Sequence, residues 1–239
     1  MRLYDRLIEE SLALLEGLPG RRLAAPGEAW PEAGEGALIL RSESAYELGG
    51  GSLAAASAFG LSSSEALVGG DEVWLYGPDL PDIKEDAPYA RLAFVRVAEG
   101  GLGEGEAAYA AIRGIEQTRY RVSPRGYMAR ISAASEREPV RVGRAALREG
   151  LDFAKVGGHY LKAYRARPEV LAAKLVFVTL PGFPYGELAR LASRAEAITE
   201  SLDHVLKDLV MDCASCHLKP VCDQVEGMRE LHFSRGKRP

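Results

Sequence analysis

Residues 174–180 read KLVFVTL, the most strand-like run of the chain, and Pro181-Gly182 ends that run. The following stretch, 185–211, carries apolar side chains at helical spacing. These side chains are Leu188, Leu191, Ala195, Ile198, Leu202, Val205, Leu206 and Leu209. A strand followed directly by a long amphipathic helix is typical of a sheet that is covered by helices. This unit therefore predicts an α/β fold.

The same alternation of strands and helices extends toward the N-terminus. Apolar runs predict strands at 73–76 (VWLY), 92–97 (LAFVRV), 127–132 (YMARIS) and 37–41 (ALILR). Helical spacing predicts helices at 104–118 and 155–167, and a short helix or turn at 144–150. An Ala-rich segment after Gly49-Gly50-Gly51 is also predicted as a helix. We therefore expect a mixed or largely parallel sheet with covering helices.

The two ends of the chain differ from this central part. Apolar residues from Leu3 to Leu15 recur at helical spacing, and the stretch that follows, to residue 36, is rich in Pro, Gly and Ala. The pattern predicts an N-terminal helix and linker at 1–36, an α/β domain at 37–211 and a small Cys-rich metal-binding lobe at 212–239.

Composition limits the class of protein. Of the 239 residues, 47% are hydrophobic and 27% are charged, which is ordinary for a globular chain with a sizeable core. No apolar run reaches the roughly 18 residues of a membrane span, and the charged start MRLYDRLIEESLALLEG is unlike a signal peptide. A net charge of −4 gives no general attraction to nucleic acid. We expect a cytoplasmic protein that binds neither membranes nor nucleic acids.

All three cysteines of the chain lie within ten residues, at Cys213, Cys216 and Cys222. An x2 spacing lets one turn present two thiolates to the same metal, and an odd number of cysteines argues against a set of disulfides. The sequence therefore predicts a metal site. The x2 and x5 spacing, with Pro220 just before the last cysteine, favours a [4Fe-4S] cluster over zinc, which remains the alternative.

A fourth ligand is needed for either metal, and no fourth cysteine exists. His232 is preferred because it can fold back from a following turn, whereas His217 directly follows Cys216. Asp223, water or an external ligand on an open iron are the other possibilities. Free thiols without a metal are the alternative interpretation of the whole cluster.

A basic region in the middle of the chain is the second candidate site. Arg119, Arg121, Arg125 and Arg130 are its candidate residues for a nucleotide, a coenzyme or another anion, because a guanidinium offers paired donors to phosphate oxygens. A solvated basic face paired with nearby acids is the alternative. Gly49-Gly50-Gly51 and Gly157-Gly158 complete no phosphate-binding motif, and His159 is interpreted as a structural histidine.

Several short sequence segments occur in the same order as similar segments of one protein family. They are AYELGGGS at 45–52, DEVWLYGPDLPDI at 71–83, RISAASE at 130–136 and LREGLDFAKVGGHYLKAYRARPEVLAAKLVFVTL at 147–180, followed by the helix that leads to the cysteines. The chain resembles the acetyl-CoA synthase (beta) subunit of the carbon monoxide dehydrogenase/acetyl-CoA synthase family. The similarity covers its middle domain and the start of its cluster-binding region, about residues 40–235 here.

This resemblance implies a function. The family's cluster pattern maps its first three cysteines onto Cys213, Cys216 and Cys222, and its fourth onto His232. The family's nickel-binding Cys-Gly-Cys does not occur in this sequence. The resemblance therefore implies an iron–sulfur protein for binding or electron transfer, with a protein or redox partner and with coenzyme A as a ligand of the arginines. The alternatives are an enzyme that acts on an anionic substrate through an open cluster position, and a zinc-stapled structural module.

Overall fold

A computed structural model describes residues 2–24, 29–34, 38–103, 105–130 and 138–206, together with Pro220. The strands in these ranges are β1 Gly20–Leu23, β2 Ser44–Leu48, β3 Ala55–Ser62, β4 Glu72–Tyr76, β5 Tyr89–Val97, β6 Tyr127–Ala129, β7 Val140–Gly143 and β8 Val170–Val178. The helices are α1 Asp5–Ala13, α2 Gly105–Gln117, α3 Arg144–Arg148, α4 Phe153–Arg165 and α5 Tyr185–Leu206. The predicted α/β class is confirmed.

The larger sheet has five strands in the order β1-β4-β8-β5-β3. The pairs β4–β8 and β3–β5 are parallel, whereas β1–β4 and β5–β8 are antiparallel. The predicted mixed sheet is thereby confirmed. Strands β5 and β8 are almost entirely buried and apolar, as expected for central strands that are covered on both faces.

The helices cover this sheet. Helix α4 packs against β8 and β4, while α5 packs against β3, α1 and α2. The approach of α4 to β4 depends on Gly157, because a Cβ there would lie 2.6 Å from Cγ1 of Val73. None of the helices that the structure describes is long and apolar enough to cross a membrane.

A second, smaller sheet has the antiparallel order β2-β7-β6. Its Tyr127 hydroxyl lies 2.5 Å from the Tyr89 hydroxyl of the larger sheet, and the Tyr46 hydroxyl donates to the Leu80 carbonyl at 2.6 Å. The buried residues of the two sheets form one continuous hydrophobic core.

Three local predictions were wrong. The Ala-rich segment forms the buried strand β3 and no helix, residues 38–40 are irregular, and residues 20–23 of the predicted linker form β1. Strands β2 and β7 were not predicted, and the strand expected at 127–132 is described only as Tyr127–Ala129. The Cys-rich lobe predicted at 212–239 lies outside the described residues, apart from Pro220.

Candidate functional site

The predicted metal ligands Cys213, Cys216, Cys222 and His232 lie outside the described residues, as do His217 and Asp223. Within the described part of the chain, no group of three His, Cys, Asp or Glu side chains is placed to hold a metal ion. What the structure describes is the helix that leads to the cysteines, since α5 is described to Leu206, seven residues before Cys213.

Helix α5 is firmly attached to the body of the protein. Its buried face contributes Leu188, Ala192, Ala195, Ile198 and Leu202 to the core. Its Thr199 hydroxyl lies 2.9 Å from the hydroxyl of the fully buried Tyr4 near α1. The last helix that the structure describes before the cysteines is therefore packed into the core as far as Leu202.

Arg119 and Arg121 line the same cavity, of about 520 Å³, between α2 and α5. Arg121 is exposed, whereas Arg119 is only 5% exposed and its guanidinium lies 4.7 Å from the centre of the Tyr120 ring. The cavity also holds a third arginine, Arg113, and three glutamates, which are Glu116, Glu196 and Glu200. The three positive charges of the arginines are therefore balanced by the three negative charges of the glutamates.

The other two candidate arginines lie elsewhere. Arg125 is exposed, pairs with Glu149 and lies 5.5 Å from the centre of the Trp30 ring. Arg130 follows β6 and lies 3.6 Å from a carboxylate oxygen of Glu47 in β2. The structure thus brings Arg119 and Arg121 together and gives Arg125 and Arg130 separate acidic partners.

Glu47 is the centre of an arginine cluster that the sequence did not indicate. Glu47 is 4% exposed, and its carboxylate lies 3.0 Å from a guanidinium nitrogen of the exposed Arg41 and accepts a hydrogen bond from Arg141 of β7. Burial raises the pKa of the Glu47 carboxyl, but the hydrogen bonds and the positive charges of Arg141 and Arg41 together lower it more, so this pKa lies below its ordinary value. The cluster ties β2 to β7 and to the loop before β2.

The free energy of unfolding should decrease in acid when the Glu47 carboxylate becomes protonated. A lowered pKa in the folded state stabilises the fold at pH values above the unfolded pKa, near 4.5, and that contribution is lost as pH drops through the folded value. Glu47→Gln should cost about 1–3 kcal/mol at neutral pH. In urea unfolding, the difference in the free energy of unfolding between wild type and Glu47→Gln should become smaller below pH 4.5. The exposed Glu85→Gln is the control, and a constant difference for Glu47→Gln would contradict the assignment.

A buried charge network joins Arg91, Arg119 and Glu138. Arg91 of β5 is 1% exposed and donates hydrogen bonds to Glu138 and to the Tyr160 hydroxyl. Arg119 lies 3.5 Å from the other oxygen of Glu138 and 3.6 Å from Glu116. Burial lowers the pKa of the Arg91 guanidinium, but the Glu138 carboxylate and the neighbouring tyrosine hydroxyls together raise it more, and the net pKa lies well above the ordinary value.

Four tyrosines surround this network. Burial raises the pKa of the Tyr89, Tyr127, Tyr160 and Tyr164 hydroxyls, so each stays a neutral phenol. Arg91 was not among the site residues predicted from the sequence. The available signal was a charged residue inside the apolar strand YARLAFVRV, because a buried arginine requires an acidic partner.

His159 of α4 holds the loop at 29–34. Its Nδ1 lies 2.9 Å from a Glu32 carboxylate oxygen, and its Nε2 lies 2.7 Å from the Trp30 carbonyl oxygen. Both ring nitrogens are thus used to attach this loop to the helix. The arrangement agrees with the interpretation of His159 as a structural histidine.

No protein-family profile matches the chain, and comparison with curated protein sequences finds no match. The fold therefore defines the class of protein, an α/β protein built around a mixed five-stranded sheet.

Proposed function

We propose that this chain is an iron–sulfur protein related to the acetyl-CoA synthase subunit, with a binding or electron-transfer role and without the nickel site. The observation that carries the proposal is the set of three cysteines within ten residues, at Cys213, Cys216 and Cys222. Thiolates at such short spacing are the usual ligands of iron–sulfur clusters. The packed helix α5 supports it, because its described end at Leu206 is only seven residues before the first cysteine.

The donor set fits such a cluster. Three thiolates hold three irons of a [4Fe-4S] cluster, and His232 is the preferred residue for the fourth position. When bound, the cluster supplies one-electron transfer. Four protein ligands favour a binding or electron-transfer protein with a redox partner, whereas an open fourth position favours an enzyme that acts on an anionic substrate.

The predicted coenzyme A or other anionic ligand stays a prediction. Of the four candidate arginines, Arg119 and Arg121 share the cavity between α2 and α5 with Arg113, so a ligand of this pair would bind there. The three glutamates of that cavity oppose an anion. One of its three arginines, Arg113, is already paired with Glu116 at 2.5 Å.

Anaerobic reconstitution with iron and sulfide tests the cluster. We expect about four irons per chain and a broad visible absorption band, and Cys213→Ser, Cys216→Ser and Cys222→Ser should each abolish stoichiometric binding. His232→Ala should weaken retention of the cluster, while the control His217→Ala should leave it unchanged. A colourless protein with one bound zinc would support the zinc-stapled module instead, and full iron occupancy in Cys222→Ser would refute the site.

A further inference from the structure

A large cavity lies between the edge of the main sheet and helix α4, and it shares no lining residue with the cavity between α2 and α5. Its volume is about 760 Å³, within the range of roughly 300–1,000 Å³ that is usual for small-molecule sites. Leu23 of β1, Val73 of β4 and Leu161 of α4 give it apolar walls. Trp30, from the loop at 29–34, forms a further wall.

The wall that carries Trp30 is fixed in place. The Trp30 carbonyl is bound by His159, and the Trp30 indole N–H donates to the Arg125 carbonyl at 2.8 Å. The same loop is held by a hydrogen bond from the Ala33 N–H to the Ser123 carbonyl at 2.8 Å. A ligand would therefore meet a preformed wall at Trp30, which lowers the entropy cost of binding there.

The acids at the cavity are occupied by other groups. Asp71 accepts from the Ala173 N–H at 3.0 Å and lies 3.5 Å from Arg165. Glu72 accepts from the Trp74 indole N–H at 2.9 Å and lies 3.7 Å from Lys174. Arg165 and Lys174 are not among the lining residues, so Asp71 is paired from outside the cavity and Glu72 is shared between Lys174 outside it and Arg22 in its lining.

One cation at the cavity is unoccupied. Within the described part of the chain, the side chain of the exposed Lys162 forms no ion pair and no hydrogen bond. Arg22 donates to the Asp71 carbonyl at 3.3 Å and lies 3.8 Å from Glu72, while Lys155 donates to the Gly150 carbonyl at 2.6 Å and pairs with Asp152 at 3.3 Å. The lining thus has three basic side chains against two carboxylates, and the unpaired positive charge on its rim is that of Lys162.

We propose that this cavity binds a small organic anion with an apolar body. The body would lie against Leu23, Val73 and Leu161, and the anionic group would face Lys162 and Arg22. A cation on the rim selects the sign of the ligand charge, and the apolar walls supply most of the binding free energy. This site uses none of the cysteines, so it does not depend on the cluster.

Two fluorescent probes that share one apolar body test this proposal. Anilinonaphthalene sulfonate carries an anionic group, whereas phenylnaphthylamine is its neutral counterpart. We expect the native protein to bind the sulfonate more tightly than the neutral probe. Lys162→Glu should weaken binding of the sulfonate by about three- to tenfold, as expected for an exposed charge, and should leave the affinity for the neutral probe unchanged.

Control variants separate binding in this cavity from a general charge effect and from loss of structure. Lys84→Glu makes the same charge change outside the cavity and should change neither affinity, whereas Leu161→Ala should weaken both probes. Near-ultraviolet circular dichroism should show that each variant keeps its tertiary packing, because the sulfonate also binds partly unfolded chains. Cys213→Ser should bind both probes like wild type. An unchanged sulfonate affinity in Lys162→Glu, or an equal loss for both probes, would overturn the proposal.

Discussion

Replacing Arg91 by leucine should destabilise the fold by about 3–5 kcal/mol, because Glu138 would be left as a buried charge without its main partner. Glu138 is 7% exposed, and its remaining arginine, Arg119, reaches it only at 3.5 Å. The measurement is urea unfolding at neutral pH, which gives the free energy of unfolding for each variant.

The double variant Arg91→Leu/Glu138→Leu is the informative control. Replacing a whole buried ion pair by apolar residues is often close to neutral, so the double variant should recover most of the loss. If the free energy of unfolding of Arg91→Leu lay within about 1 kcal/mol of the wild-type value, the ion pair would not be an essential part of the core.

Gly126→Ala should cost about 2–5 kcal/mol, the second large effect. Gly126 has a φ of 84°, in the left-handed region, where a Cβ costs roughly 1–2 kcal/mol. A Cβ at this position would also overlap the Cβ of Ala146 in α3, and overpacking typically adds about 1–3 kcal/mol. The small sheet would have to move away from α3 to admit one methyl group.

Gly17→Ala is the matched control for this clash. Gly17 has a similar φ of 75°, but a Cβ there would have no atom within 4 Å. Its cost should be limited to the backbone strain, roughly 1–2 kcal/mol. Equal losses for Gly17→Ala and Gly126→Ala in thermal or urea unfolding would show that the contact with Ala146 does not matter.

The elements that were predicted correctly are those whose pattern is local. Helices α1, α2, α4 and α5 bury one face at helical spacing, and β4, β5 and β8 are runs of apolar residues bounded by turn residues. The error at Ala55–Ser62 has a tertiary cause. Alanine favours a helix, but this segment is fully buried, pairs in parallel with β5 and is covered by α5, and these contacts outweigh its intrinsic propensity.

The arginines show the same limit for sites. Arg119, Arg121, Arg125 and Arg130 are neighbours along the chain, which suggested one basic surface. Their acidic partners come from distant positions, such as Glu196, Glu149 and Glu47. Proximity in sequence therefore did not predict which charges would face each other, because ion pairing depends on how separate elements pack.

Residue order alone was enough to predict an α/β chain with a long helix ahead of three closely spaced thiols, because periodicity and ligand spacing are properties of a few consecutive residues. The partnership of Arg91 with Glu138 and the arginine cluster at Glu47 required the folded protein. So did the cavity between β1, β4 and α4. Each joins residues that are dozens of positions apart, and only close packing of the two sheets and their helices brings such groups within contact distance.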